Sequence, residues 1–376
     1  MARTPGQAAR RDPEWEGVRL HVVSGKGGTG KTTLAAALAL ALAAEGRRTL
    51  LIEVEGRQGI AELFGIAALP YEERRIASVS RAQLGLDRAG AADGDDGDAP
   101  GGAGASGGEA GSGEVFALAI DTEQALLEYL EMFYKLGRAG KALQKVGFVD
   151  FATTIAPGVR DVLLTGKACE AARRKGPDGK RAYDAVVMDA PPTGRLTRFL
   201  NVNSEVAGLA RIGPIHTQAQ AVMRVLRSPE TAVHLVTLLE EMPVQETVDG
   251  FAELREAALP VGGVMVNMVR PPVLDAAAVA AVDGDHREEV ALALGEAGLG
   301  GRSRKPDTVR AAVEPLIDPL LEQAREHAER VELEREQRLD LQQLKLPTYE
   351  LPLLSEGVDL GGLYRLAAEL KRQGAA

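Results

Sequence analysis

Ten residues constrain this chain more than any others: Ser24-Gly25-Lys26-Gly27-Gly28-Thr29-Gly30-Lys31-Thr32-Thr33. They stand between a short apolar run at 18–23, which reads as a strand, and an Ala/Leu-rich stretch from 32 to about 45, which reads as a helix. Gly25, Gly30, Lys31 and Thr32 meet the G-x-x-x-x-G-K-[ST] pattern in the strand–loop–helix setting that the pattern needs. Glycines let backbone N–H groups turn inward around phosphate oxygens, and the helix N-terminus adds partial positive charge. Lys31 is expected to reach the β- and γ-phosphates and Thr32 to ligate Mg²⁺. Gly27, Gly28, Thr29, Gly30 and Thr33 complete the cradle.

Lys26 is not needed to hold phosphate from within its own subunit. The loop resembles the deviant Walker A ATPases, in which a lysine at this position reaches across a dimer interface to the partner's nucleotide. The resemblance implies for Lys26 the part of an arginine finger, offsetting charge in the transition state. A solvated surface lysine is the plain alternative.

A chain of 376 residues with 45% hydrophobic content can build one large α/β domain with an insert. The net charge of −10 argues against nucleic acid as the main partner. One cysteine, Cys169, excludes a disulfide framework and a thiolate cluster within the chain, and the five histidines are scattered. No apolar run is long enough for a membrane span; the longest, 34–44, belongs to the helix behind the phosphates. Residues 1–17 lack the apolar stretch of a secretion signal and read as a disordered extension, so the expected location is the cytosol, with a peripheral place at the membrane left open. Residues 88–113 are almost all Gly, Ala, Asp, Ser and Glu and are expected to be a disordered insert.

The remainder alternates. Strands are expected at 115–120, 185–188, 232–237, 261–266 and 349–354. Helices are expected at 122–146, 159–174, 244–258 and 360–372. A long charged helical stretch covers 307–344, with Pro315 and Pro319 as places for a break. This predicts an α/β fold: a doubly wound, mainly parallel sheet flanked by helices, forming one domain over 18–375 with a helical subregion at 122–174. Apolar residues around 126–133 and 159–169 fit either a client groove or ordinary core packing.

Asp189 ends an apolar strand and is followed by Ala190-Pro-Pro-Thr-Gly194. That is the Walker B arrangement, in which the aspartate holds Mg²⁺ through water. Together the loop 24–33, the stretch Asp189-Ala-Pro-Pro-Thr-Gly-Arg-Leu-Thr-Arg-Phe-Leu200 and Leu351-Pro-Leu-Leu354 resemble the arsenite-pump ATPase family, which includes the ATPase that targets tail-anchored membrane proteins. Ile120-Asp-Thr-Glu-Gln-Ala125, Ala156-Pro-Gly-Val159 and Val266-Asn267 add to the likeness. The resemblance implies an ATP/ADP-driven, Mg²⁺-dependent dimer, of itself or with a related ATPase subunit, handling a membrane-protein client or docking to a membrane receptor. It implies that Asn267 reads the adenine edge, with helix capping as the alternative, and that Pro352 and Leu353 lie near the base.

Two departures qualify it. Where that family has Asp-Pro-Ala-His, this chain reads Glu55-Gly-Arg-Gln58. Glu55 aligns with the water-orienting aspartate one methylene longer, which puts the hydrolysis rate in question and leaves a weakly hydrolysing regulatory subunit as a second reading. Arg57 fits a phosphate contact or a surface role. The missing cysteines leave no soft ligands for arsenite, zinc or an iron–sulfur cluster. A partition or positioning ATPase, which shares the two-lysine loop, is the third reading.

Overall fold

The computed structural model describes residues 15, 17–86, 111–134, 158–209, 214–299 and 306–376. These divide into two compact units, each described by itself: Met1–Leu238 with Met242–Val269 and Leu344–Ala376, and Leu239–Glu241 with Arg270–Gln343. The sequence reading takes 18–375 as one domain. The sheet lies in the first unit, as do its flanking helices apart from Glu241, and residues 270–343 form a helical stretch of the second unit.

In the first unit the chain runs β1 (Leu20–Gly25), α1 (Lys31–Ala43), β2 (Arg48–Glu53), α2 (Gly59–Leu63), β3 (Arg74–Val79), β4 (Gly113–Ala119), α3 (Thr122–Tyr134), α4 (Val159–Arg173), β5 (Ala185–Asp189), α5 (Thr193–Leu209), α6 (Pro214–Leu226), β6 (Thr231–Thr237), α7 (Glu241–Glu256, whose first residue groups with the second unit) and β7 (Val261–Val269). After the second unit it returns as β8 (Thr348–Pro352) and α11 (Leu360–Arg372). The strand order is β3-β4-β2-β5-β1-β6-β7-β8. Every pairing is parallel except β3 with β4. This is the doubly wound α/β fold that the sequence predicts.

Alternation along the strands makes two cores. Val23, Leu51, Val187 and Val236 face one side, covered by α1 and α11. Leu20, Val22, Ile52, Met188 and Leu235 face the other, covered by α4 and α5 with residues of α3, α6 and α7. Helix α1 is apolar on every side, and Leu34 to Ala43 are all buried, as a helix enclosed all round must be. On the α4 side, Leu163, Leu164, Ala168 and Cys169 are core residues, so this helix takes the packing alternative rather than the groove. Of α3, Ala125 and Leu126 are buried; residues 135–157, including the rest of the helix expected to 146, lie outside the described residues.

Three boundaries differ from expectation. Trp15, placed by sequence in a disordered extension, is fully buried; its Nε1–H donates to the Gly262 carbonyl at 3.2 Å, and its ring meets those of His21, His234 and Tyr349. A large aromatic next to a buried pair of histidines (His21 Nδ1 to His234 Nε2, 3.0 Å) secures the segment through apolar burial that polar neighbours conceal. Ser112 and Gly113 are ordered, since Ser112 hydrogen-bonds Ser78 and Gly113 opens β4; residues 88–110 of the insert lie outside the described residues. Edge strand β3 carries no clear apolar pattern in Arg-Arg-Ile-Ala-Ser-Val because only Val79 is buried.

The second unit holds α8 (Ala276–Ala281), α9 (Arg287–Glu296) and α10 (Pro306–Gln343). Helix α10 runs 38 residues through Pro315 and Pro319, correcting the expected break. The buried stripe Val313, Ile317, Leu321 recurs every four residues, and the prolines lie two positions off it, on the opposite face. Packing therefore continues past the two missing N–H donors.

Candidate functional site

The site lies at the carboxyl ends of the central strands. Strand β1 sits between β5 and β6, where successive connections run to opposite sides of the sheet. This is the crevice in which open α/β sheets bind ligands. In register, Val23 of β1 and Glu53 of β2 both stand beside Asp189 of β5. The strand ends thus deliver the glycine loop, Glu53 and Asp189 to one place.

The loop from Lys26 to Gly30 turns tightly. Thr29 is buried, and its Oγ1–H donates to the Lys26 carbonyl at 2.8 Å. Gly28 and Gly30 have φ of 90° and 85°, a backbone region that suits glycine. A Cβ on Gly30 would also collide with the Asn267 amide. Above Gly27 and Gly28 a Cβ would meet nothing within 4 Å, so the loop opens onto free space. Lys31 and Thr32 begin α1, and Thr33 lies half-buried in its first turn. The α1 N-terminus carries no side-chain cap, which leaves its N–H groups available to an anion.

Asp189 is 8% exposed. Thr32 Oγ1–H donates to its Oδ2 at 2.7 Å, and Oδ1 has no hydrogen-bond partner among the described residues. Burial pushes this carboxyl up to about 6, against the Thr32 hydrogen bond and Lys31, which lower it; Glu53 and Glu55 add to the rise. A buried carboxylate with an idle oxygen, next to a threonine hydroxyl, offers the hard oxygen donors that a divalent cation takes.

Glu53 was not singled out by sequence, yet it is 2% exposed and organises the loop after β2. It accepts backbone hydrogen bonds from Gln58 at 2.5 Å and Ile60 at 3.2 Å. Gln58, at φ 60°, then exchanges two hydrogen bonds with the backbone of Leu69. Glu55 stands further along this loop, paired with exposed Arg57 at 3.5 Å. Both carboxylates are close enough to influence Asp189, but only Glu53 is committed to the backbone. A strand-terminal glutamate before a glycine-containing loop was the signal available for it.

Asn267 is buried at the end of β7, and its Nδ2 donates to the Thr29 carbonyl at 2.9 Å. It braces the glycine loop, a contact that neither adenine recognition nor helix capping anticipates. Pro352 closes β8; Leu353 is 41% exposed and its N–H donates to the Val269 carbonyl at 2.9 Å, so both stand beside the β7 end that carries Asn267. Lys26 pairs with Glu246 of α7 at 3.0 Å. Ser24 Oγ–H donates to the Pro191 carbonyl at 2.6 Å, tying the loop to the turn after Asp189. Ser24, Glu53 and Glu246 are the residues that sequence reasoning did not place in the site.

Comparison with known proteins agrees with this fold. Residues 20–283 match the CobQ/CobB/MinD/ParA nucleotide binding domain. ATPase BagA of Mycobacterium tuberculosis is 47% identical over 363 residues, covering 95% of this chain and 94% of its own length. The protein Mb3704 of Mycobacterium bovis matches to the same extent. The protein Rv2184c of M. tuberculosis is 28% identical over 186 residues, 49% of this chain and 37% of its own. With its phosphate cradle, strand-end aspartate and parallel sheet in place, the chain belongs to the CobQ/CobB/MinD/ParA nucleotide-binding domain family.

Proposed function

We propose that this chain is a Mg²⁺-dependent ATPase switch that works as a dimer, of the arsenite-pump and tail-anchor-targeting type without the metalloid chemistry. The observation that carries it is the buried Asp189 carboxylate, held by Thr32 with one oxygen unpaired, beneath an open two-lysine glycine loop. In this reading the backbone from Gly27 to Thr33 binds the phosphates, and Lys31 balances their charge. Thr32 and Asp189 hold the cation shell. Bound magnesium supplies neutralisation of the phosphate charge. Glu55 orients water, and Lys26 acts on the partner's nucleotide. Asn267, Pro352 and Leu353 receive the base. The client is a membrane-protein segment or another apolar chain. No helix among the described residues is long and apolar enough to cross a membrane.

The purified chain is expected to turn over ATP with magnesium, at a specific activity that rises with protein concentration. Lys26→Ala should lower turnover by about a hundredfold or more while ATP binding stays near wild type. Equal loss of binding and turnover would restrict Lys26 to supporting its own loop. Absence of turnover in the intact chain would favour the regulatory-subunit reading, which the Glu55–Arg57 pairing supports.

A positioning ATPase is the second reading, favoured by the MinD and ParA members of the matched family. The net charge of −10 opposes DNA as its surface. ATP-dependent co-sedimentation with anionic vesicles or DNA, lost at high salt, would select it.

A further inference from the structure

Glu246 lies on α7, outside every motif of the sequence, and its carboxylate joins two active-site segments. Oε1 stands 3.0 Å from Lys26 Nζ. Oε2 accepts a hydrogen bond from Thr193 Oγ1 at 3.1 Å. Lys26 is the extra lysine of the glycine loop, and Thr193 belongs to the Pro-Pro-Thr-Gly turn beyond Asp189. Thr193 is 4% exposed, and a Cβ on Gly250, one turn further along α7, would touch its methyl at 3.5 Å. The same turn is held from the loop side by the Ser24 hydrogen bond to Pro191. The turn, the loop lysine and α7 therefore form one connected set, with Glu246 at its junction.

An ammonium that must serve another subunit cannot do so while a carboxylate of its own chain holds it. We propose that Glu246 is a positioning residue that restrains Lys26 within its own subunit and releases it when the turn carrying Thr193 moves. The inference rests on the reading of Lys26 as a lysine that acts across a dimer. The strength of the pair suits a restraint that must yield. Its side chains are 30% and 36% exposed, so solvent screens the attraction. Pairs of this kind bias an equilibrium by up to about fivefold, which shifts a population without locking it.

Glutamine at 246 keeps the shape and can still accept from Thr193, but removes the charge that holds Lys26. In the nucleotide-free full chain, Lys26 of Glu246→Gln should be acylated by an amine-reactive reagent up to about fivefold faster than in wild type, read by mass spectrometry against exposed Lys180 as the internal standard. Glu246→Asp, which retains the charge, should stay nearer wild type. In sedimentation with ATP and magnesium, Glu246→Gln should halve its monomer population at a protein concentration up to about fivefold lower. That shift should vanish when Lys26→Ala is added. Unchanged acylation would overturn the restraint. A dimerisation shift that persists without Lys26 would place the effect in the Thr193 turn and overturn it too. Wild-type turnover and dimerisation by Lys26→Ala alone would remove the release step through failure of the trans reading, and the acylation rates would still report on the restraint separately.

Discussion

Asp189 keeps a carboxylate where the fold resists one. In the unfolded chain an aspartate ionises near 3.9, whereas burial raises Asp189 to about 6. Between these values the folded protein holds more protons than the unfolded one, so stability falls as pH rises from about 4 to about 6. The deficit, on the order of 2–3 kcal/mol, is then present in full at neutral pH. Asp189→Asn removes it and keeps an oxygen for Thr32. The nucleotide-free variant should melt a few degrees above wild type at pH 7.5, with the gap closing towards pH 4, while ATP turnover is lost. Equal melting temperatures at pH 7.5 would mean that the neighbouring lysine already compensates the charge. At this scale the sequence carries half of the site. Asp189, Thr32 and Lys31 are legible because their chemistry fixes their spacing from strand and helix. Glu246 is not, because nothing local separates it from Glu240 and Glu241, which also open the α7 region; only the return of α7 beside the loop gives it a partner. Glu53 and Glu55 show the same limit, since two residues of one type in the same short segment are distinguished only by which one the backbone N–H groups of Gln58 and Ile60 engage.

Elements with a strong period are read more faithfully than elements whose stability comes from elsewhere. The all-apolar helix α1 and the buried strand β5 are visible in sequence because their side chains have only interior places to go. Strand β3 is not, because it is an antiparallel edge whose exposed side chains leave no alternation to detect. Helix α10 errs in the opposite sense. Local chemistry predicts a break at Pro315 and Pro319, and the stripe Val313, Ile317, Leu321 carries the helix through. Both prolines still remove backbone hydrogen bonds. Replacing either with Ala should strengthen the first half of α10, by about 1–3 kcal/mol of local opening free energy in hydrogen exchange, provided the stripe alone sustains the helix. No change in exchange between residues 311 and 323 would show that the flanking turns are already held by packing alone.

Across the whole molecule the two compact units differ in what stabilises them. The first encloses a sheet between two apolar layers and holds the chain's single tryptophan, Trp15, at zero exposure. In the second, α8 and α9 bury no residue, α10 buries a narrow stripe, and surface ion pairs such as Arg287 with Glu314 join α9 to α10. Exposed pairs of that kind contribute about 0–1 kcal/mol each. Little apolar burial per residue means low opening free energy, so the second unit should unfold first. Far-UV circular dichroism sees both units, because the second is helical throughout its described elements. Trp15 emission sees only the first. Heating should therefore give an early loss of helical signal with the emission maximum unmoved, and a later transition in which the emission shifts to the red. Because the phosphate cradle lies in the first unit, ATP with magnesium should raise the second transition and leave the early one in place, by the linkage between binding and folding. Superimposed transitions by both probes, moved together by nucleotide, would instead mean that the helical unit has no stability of its own and folds only as part of the sheet.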